Sequence, residues 1–159
     1  MADALKSRLA NMVKKIITMD TNVLVAALMS NLGASYCILR LIFEEKLKLA
    51  VTPAVFFEYY DVLTRKEILA KINLSVAQVE DILDLLALLA KKHSVYFLLR
   101  PNLFDEKDNI ICECAFVSHS DYLITANIKD FKHGELKGFR FQSLSPKDFY
   151  QLWKLQHHE

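Results

Sequence analysis

Residues 13–22 read VKKIITMDTN. The first seven are rich in β-branched side chains, a composition typical of a strand. The run stops at three polar residues, Asp20, Thr21 and Asn22. We therefore expect a short strand that carries Asp20 at its carboxyl end.

The chain around this stretch alternates short apolar runs with segments of helical period. Further strands are predicted at Leu47–Val51, Val95–Leu98, Tyr122–Thr125 and Phe139–Gln142, and helices over 34–46, 53–63, 65–72 and 76–92, after Asp108, and from Ser145 onward. This alternation predicts an α/β sandwich with a parallel sheet. The length fits one domain over residues 1–159, with a lead-in segment at 1–12 and a C-terminal helix and tail at 146–159.

The composition is that of an ordinary globular domain. Of 159 residues, 53% are hydrophobic and 25% charged, and the formal charge of +1 argues against a broad surface for DNA phosphates. Cysteines 37, 112 and 114 form no even framework, which indicates reduced thiols in a cytosolic protein. No segment has the pattern of a signal peptide or a membrane span. We expect a cytoplasmic protein without a membrane partner.

Several acidic residues follow a predicted strand or lie near the helix after one: Asp20, Glu58, Asp105, Asp108 and Asp130, with Asn127 beside them. Because ligands bind beyond the carboxyl ends of parallel strands, these segments can converge at one edge of the sheet. Carboxylates brought together repel one another unless a cation neutralises them. Oxygen ligands without a nearby His or Cys suit Mg²⁺ or Mn²⁺, and phosphodiester hydrolysis is the natural chemistry.

Each of these acids also has a purely structural interpretation. An Asp at the end of a strand often forms a turn or caps a helix, and Asp108 could cap the helix that it precedes. Asp105 could be a solvated surface charge. Glu58 is the most informative, because it lies among apolar and aromatic residues, where a carboxylate needs a partner or water. Spacing alone leaves both interpretations open.

Four segments carry a family resemblance: MDTNVL at 19–24, Glu58 on a helix, DEKDN at 105–109 followed by Ala115, and LITANIKDF at 123–131. In this order and spacing they resemble the PIN-domain nucleases, and among these the VapC-like toxins of prokaryotic toxin–antitoxin pairs. The similarity runs from about residue 14 to about residue 145. It implies a three-layer α/β/α sandwich with a central five-stranded parallel sheet, and Mg²⁺- or Mn²⁺-dependent cleavage of RNA.

The resemblance also implies roles for individual residues. The catalytic set would be Asp20, Glu58, Asp108 and Asp130, and the metal would be bound by the first three. Hydrogen bonds to these ligands, or contacts with the substrate, would come from Thr21, Asn22, Asp105, Thr125, Asn127 and Lys129. Many PIN domains have Asp where this chain has Asn127. We therefore expect one firmly held metal ion rather than two.

An RNA substrate must approach a negative pocket, so positive side chains should surround it. The candidates are Arg40, Arg65, Lys66, Lys129, Lys132 and His133. Arg65 and Lys66 could equally begin a solvated helix, whereas Lys129 and Lys132 flank Asp130.

The predicted helix over 76–92 is apolar on more than one face. This surplus favours a second contact, with another copy of the chain or with an antitoxin peptide, and a fully buried core helix is the alternative. The resemblance favours a homodimer and a small antitoxin protein that blocks the site.

Other functions remain open at this point. A phosphatase of the haloacid-dehalogenase type also begins with an Asp after its first strand, but it needs a second Asp where this chain has Asn22. A receiver-like signalling module normally has paired acids after that strand. An inactive PIN-like interaction module, or an RNA-processing PIN nuclease outside a toxin–antitoxin system, would keep the same fold.

Overall fold

The computed structural model describes residues 2–5, 14–92, 106–131 and 141–157, without the side chains of residues 91, 92, 106, 107 and 130. Its centre is a parallel sheet in the order β3-β2-β1-β4-β5. The strands are β1 (Ile16–Met19), β2 (Lys48–Val51), β3 (Lys91–Lys92), β4 (Tyr122–Ile124) and β5 (Gln142–Leu144). Ile17 pairs with Leu49 on one side and Tyr122 on the other, so β1 is central.

The predicted α/β architecture with a parallel sheet is confirmed, and the strand count differs from the expectation. Four strands have three or four residues each, and the fifth place is taken by the two-residue pair β3 along β2. Within the described residues, the sheet thus has four strands of three or four residues and one two-residue strand, where five full strands were expected. The strand predicted at Val95–Leu98 lies outside the described residues. The strand predicted at Phe139–Gln142 is found two to three residues later, as β5.

The helices are α1 (Thr21–Met29), α2 (Ala34–Phe43), α3 (Pro53–Leu63), α4 (Lys66–Ile72), α5 (Val76–Leu89), α6 (Glu106–Val117) and α7 (Pro146–Gln156), with a 3₁₀ helix at Ile128–Phe131. Capping side chains fix three helix starts, because Thr52, Ser75 and Ser145 each accept a backbone N–H three residues ahead. Ser75 and Gln78 form a capping box at the start of the helix predicted from residue 76.

Two features of the structure near Asp20 and Asp108 differ from the expectation. Helix α1 begins directly after Asp20 and was not predicted, because its nearly uniform apolar composition gives little helical periodicity. Asp108 lies inside the first turn of α6 rather than in a loop before it, since the helix begins at Glu106. The interpretation of Asp108 as the residue that caps α6 from outside is therefore wrong.

The central strand is buried on both faces. Ile17, Thr18 and Met19 are all fully buried although successive side chains point to opposite sides of a sheet. Helices must therefore cover both faces, as the expected three-layer arrangement requires. The one polar side chain among them, Thr18, is satisfied by Ser120 at 2.8 Å between the hydroxyl oxygens.

Helix α5 has one buried and one exposed apolar face. Val79, Leu83 and Leu86 are buried, whereas Leu85 is 43% and Leu88 is 78% exposed. The alternative of a fully buried core helix is therefore wrong.

In the described parts of the chain, no single helix is long and apolar enough to cross a membrane; α1 and α2 meet the length and composition test only as a pair, bent by 98°.

Candidate active site

The site begins where β1 and β4 end side by side. The Asp20 N–H donates to the Ile124 carbonyl at 2.9 Å, and the Thr125 N–H donates to the Leu144 carbonyl at 3.0 Å. These bonds continue the parallel ladder one residue past each strand, so Asp20 and Thr125 face one another. This point is also where the strand order reverses direction around β1, the usual place for a ligand in an open α/β sheet.

Thr125 holds the Asp20 carboxylate from behind. Its hydroxyl donates to Asp20 Oδ2 at 2.7 Å and accepts from the Asn127 N–H at 3.0 Å. Thr125 is fully buried, and Asp20 is 9% exposed. A neighbouring donor of this kind fixes the direction in which a carboxylate presents its other oxygen. The predicted supporting role of Thr125 fits this geometry.

Tyr59 fixes the backbone just before Asp20, and its role was missed in the sequence. Its hydroxyl donates to the Met19 carbonyl, so α3 is tied to the end of β1. The side chain is fully buried. Burial raises the pKa of Tyr59 well above its ordinary value, and the negative potentials of Cys114 and Asp20 add to the rise. The phenol therefore stays a hydrogen-bond donor. The only sequence signal was its place next to Glu58.

The pocket in front of Asp20 has a volume of about 340 Å³. Its lining comes from α1, α3, α4, α6 and the segment after β4, and consists of Asp20, Thr21, Asn22, Val25, Glu58, Val62, Arg65, Ile68, Asp108 and Asn127. Six of the residues predicted for the site thus meet in one pocket. Sequence separation hides this convergence, because the acids come from three different segments.

Two oxygen atoms at the acidic end have no hydrogen-bond partner among the described residues: Thr21 Oγ1 and Asn22 Oδ1 are buried there without one. A buried polar atom is costly to leave unsatisfied, so these oxygens are suited to a ligand or its bound water. Both residues lie in the first turn of α1, immediately after Asp20.

The donor set fits a hard cation. The available ligand atoms are carboxylate, hydroxyl and amide oxygens, which Mg²⁺ and Mn²⁺ prefer. Within the described ranges, no three His, Cys, Asp or Glu side chains lie close enough together to hold an ion by themselves. Mg²⁺ does not require three, because it keeps several waters and is commonly held by one or two carboxylates.

Arg65 is the one cationic side chain that lines this pocket in the described part of the chain. Its Nη2 donates to Asp61 Oδ2 at 2.7 Å, and the negative charges of Asp61 and Glu58 raise its pKa. The other described candidates for a basic rim do not line this pocket. Arg40 pairs with Glu44, the residue that follows α2, at 2.8 Å, and Lys66 and Lys129 are exposed and are not among the lining residues.

Some predicted site residues cannot be placed against the pocket. Asp130 belongs to the 3₁₀ helix, and its side chain is outside what the structure describes. Asp105, Lys132 and His133 lie outside the described residues altogether.

The sequence matches the family model described as "PIN domain" over residues 17–129, which is more than half of the chain. The chain belongs to the PIN domain family. PIN domains are nucleases, and they generally use divalent metal ions. Membership decides against the phosphatase and receiver-like interpretations that the sequence left open.

No curated protein sequence matches this PIN domain. Among solved structures, it is similar to a chain in the crystal structure of VapBC2 from Rickettsia felis bound to a DNA fragment from their promoter. The TM-score is 0.56 and the identity 17%, over 82% of this chain and 98% of that chain. At this identity the likeness concerns the fold.

Proposed function

We propose that this PIN domain is an endoribonuclease that depends on Mg²⁺ or Mn²⁺, and that it is the toxin of a toxin–antitoxin pair. The observation that carries the proposal is the pocket that collects Asp20, Glu58 and Asp108 beside two buried oxygens that have no hydrogen-bond partner among the described residues. Three carboxylates around one small pocket that holds a single described cationic side chain, Arg65, repel one another, and a bound metal ion would relieve this repulsion. A phosphodiester, which is also negative, requires the same cation.

Asp20 and Asp108 are the proposed ligands of one metal ion, and Glu58 holds a ligand water or binds the ion directly. When bound, the ion supplies charge neutralisation at the phosphate and lowers the pKa of a water. Asp130 is proposed to complete the site, together with Asn127. Because Asn127 is neutral, we propose one firmly held ion.

Side chains of this protein would hold the metal ligands and the substrate in position. Thr125 directs the Asp20 carboxylate, and Tyr59 fixes the Met19 carbonyl, so that the end of β1 cannot move when substrate enters. Glu58 lies on the α3 wall of the pocket, where it can accept a proton from the attacking water. Thr21 and Asn22 have side-chain oxygens that pair with nothing in the described part of the chain, and we propose that these oxygens accept from the water shell of the ion.

The assignment as a toxin is supported by the fold that this chain shares with the Rickettsia felis VapBC2 structure. It implies a small antitoxin protein that blocks the pocket. Reduced thiols, with Cys37, Cys112 and Cys114 all free of disulfides, are consistent with an action in the cytoplasm. The alternative is an RNA-processing nuclease of the same fold with no antitoxin.

We also propose that the chain forms a homodimer through the exposed apolar face of α5. Leu85 and Leu88 are close to one helical turn apart on this face, which is the spacing of a helix–helix contact. A Leu88→Glu variant should be monomeric by light scattering while its circular dichroism spectrum stays that of the folded wild type. A dimer that persists in this variant would overturn the α5 interface.

The test of the enzyme is RNA cleavage with a matched pair of charge changes. Wild type should cut a mixed RNA pool with Mg²⁺ or Mn²⁺ and lose this activity in EDTA. Asp20→Asn removes a proposed ligand and should reduce the rate about a hundredfold or more, whereas Asp148→Asn removes an equal charge from the exposed first turn of α7, outside the pocket, and should change nothing. Equal cleavage by wild type and Asp20→Asn, or no cleavage by wild type, would overturn the proposal.

The toxin assignment has a separate readout. Expression of wild type in a bacterial host should arrest growth, and expression of Asp20→Asn should not. Co-expression of the product of an adjacent small gene should restore growth. Active RNA cleavage without growth arrest would instead favour the RNA-processing alternative.

A further inference from the structure

The pocket has a second half that metal binding does not use. Val25 lies one helical turn along α1 from Thr21, and Val62 lies one turn along α3 from Glu58. Together with Ile68 of α4, these side chains form an apolar wall beyond the acidic end. All three are only partly buried, so they present apolar surface to whatever fills the pocket.

Arg65 stands at the border of this apolar wall. It lies just past the end of α3, where its N–H donates to the Val62 carbonyl at 3.2 Å, and it lines the pocket together with Val62 and Glu58. Its backbone is fixed, because the Arg65 carbonyl accepts the N–H groups of Ile68 at 3.0 Å and Leu69 at 2.9 Å. Asp61 then fixes the guanidinium through the 2.7 Å ion pair.

We infer that the half of the pocket formed by Val25, Val62, Ile68 and Arg65 is a subsite for one unstacked nucleotide of the substrate strand. The base packs on the apolar wall, and Arg65 binds the phosphate of that nucleotide. The inference rests on the proposed function, since it takes the substrate to be RNA.

Three physical points support this subsite. A guanidinium offers five N–H donors in a planar fork, so the bond to Asp61 leaves donors that can match a phosphate. The carboxylates nearby would repel an RNA strand, and Arg65 is the pocket cation that opposes this within the described residues. The whole pocket, with its acidic end, has a volume of about 340 Å³, which is at the small end for a ligand pocket and excludes a duplex.

A binding experiment tests the subsite without relying on cleavage. The probes are adenosine and uridine 5′-monophosphates, ribose 5-phosphate and the two nucleosides, each titrated calorimetrically with Mg²⁺ present. Arg65→Gln should weaken the better-bound nucleotide and ribose 5-phosphate about tenfold and leave the nucleosides unchanged. Val62→Ala should weaken the nucleotide and its nucleoside about threefold and leave ribose 5-phosphate unchanged.

The matched control is Arg40→Gln. Arg40 forms the same kind of i, i+4 ion pair as Arg65, with Glu44 at 2.8 Å, but lies outside the pocket. The Arg40→Gln variant should bind every probe with the same affinity as wild type. Circular dichroism of each variant checks that the fold is intact.

The possible outcomes separate the subsite from the nuclease. If no mononucleotide binds wild type, or if Arg65→Gln and Val62→Ala weaken all probes equally, the subsite is refuted, even where wild type cleaves RNA. If the pattern of losses holds but wild type never cleaves RNA, the subsite stands and the nuclease proposal fails.

Discussion

Replacing Thr125 by Val should uncouple Asp20 from the strand beside it. Val has nearly the shape of Thr but lacks the hydroxyl that donates to Asp20 Oδ2 at 2.7 Å. Because Thr125 is fully buried, water cannot easily take the place of that donor. The Asn127 N–H also loses its acceptor, but Asn127 is exposed and its N–H can turn to solvent.

The expected magnitude follows from the charge on the acceptor. A hydrogen bond to an ionised group contributes about 1.5–3 kcal/mol, whereas a donor that turns to water costs little. Thr125→Val should therefore lower the free energy of unfolding by about 2 kcal/mol. Loss of a group that orients a metal ligand typically weakens metal binding 10- to 100-fold, so we expect about a tenfold rise at least in the apparent Kd for Mn²⁺.

A double-mutant cycle isolates this bond. Urea unfolding of wild type, Thr125→Val, Asp20→Ala and the double variant should give a coupling energy of about 2 kcal/mol between the two positions. Thr125→Ser is the control, since it keeps the donor and loses only one methyl group, at a cost of about 1 kcal/mol. A coupling energy below about 0.5 kcal/mol would refute the reasoning that Thr125 holds the Asp20 carboxylate.

Three further predictions concern stability. Tyr59→Phe should lower the free energy of unfolding by about 1–2 kcal/mol, because the buried Met19 carbonyl loses its donor. Ser75→Ala should cost about 1 kcal/mol by removing the cap of α5. Burial raises the pKa of Cys112 to about 12 and of Cys114 to about 11, above the ordinary value of 9.0. These thiols ionise first in the unfolded chain, so stability should fall as the pH rises above 9, by up to about 1.4 kcal/mol per pH unit for each thiol.

Urea unfolding monitored by circular dichroism checks all three. Tyr60→Phe is the control for Tyr59, since Tyr60 is 41% exposed on the same helix. Ser75→Asp should keep the cap of α5, so equal losses in Ser75→Asp and Ser75→Ala would contradict the capping role. A Cys112→Ala variant should show a shallower decline between pH 9 and pH 11 than wild type. Parallel curves would contradict the role of that thiol.

Local sequence signals predicted much of this fold. The β-branched run before Asp20 predicted β1, and the capping patterns at Thr52, Ser75 and Ser145 predicted the starts of three helices. Such signals work because strand composition and helix caps depend on residues within four positions of one another. Helix α1 was not predicted, because it is apolar on nearly every side and hydrophobic periodicity then carries little information.

The convergence of the acids was predicted only from the parallel direction of the strands, which brings Asp20 and Thr125 to the same edge of the sheet. Their 2.7 Å hydrogen bond also requires β1 to pair with β4, which only the structure shows. Glu58 and Asp108 lie at that edge only because α3 and α6 pack beside it. No local sequence pattern predicts this packing. Asp108 shows how far local patterns can mislead. It was expected to precede its helix, and it lies in the first turn of α6.

By itself, the sequence determined that a short strand ends at Asp20 and that other acids lie at the carboxyl ends of neighbouring strands. These features are readable because strand composition and the alternation of strands with helices depend on nearby residues. Only the tertiary structure decided which side chains serve that carboxylate. Tyr59 reaches the Met19 carbonyl across 40 residues, and Thr125 reaches Asp20 across 105. Arg65, which the sequence could not distinguish from a solvated charge, enters the pocket because α3 ends there. Contacts over such separations depend on how helices pack on the sheet, and packing is a property of the whole chain.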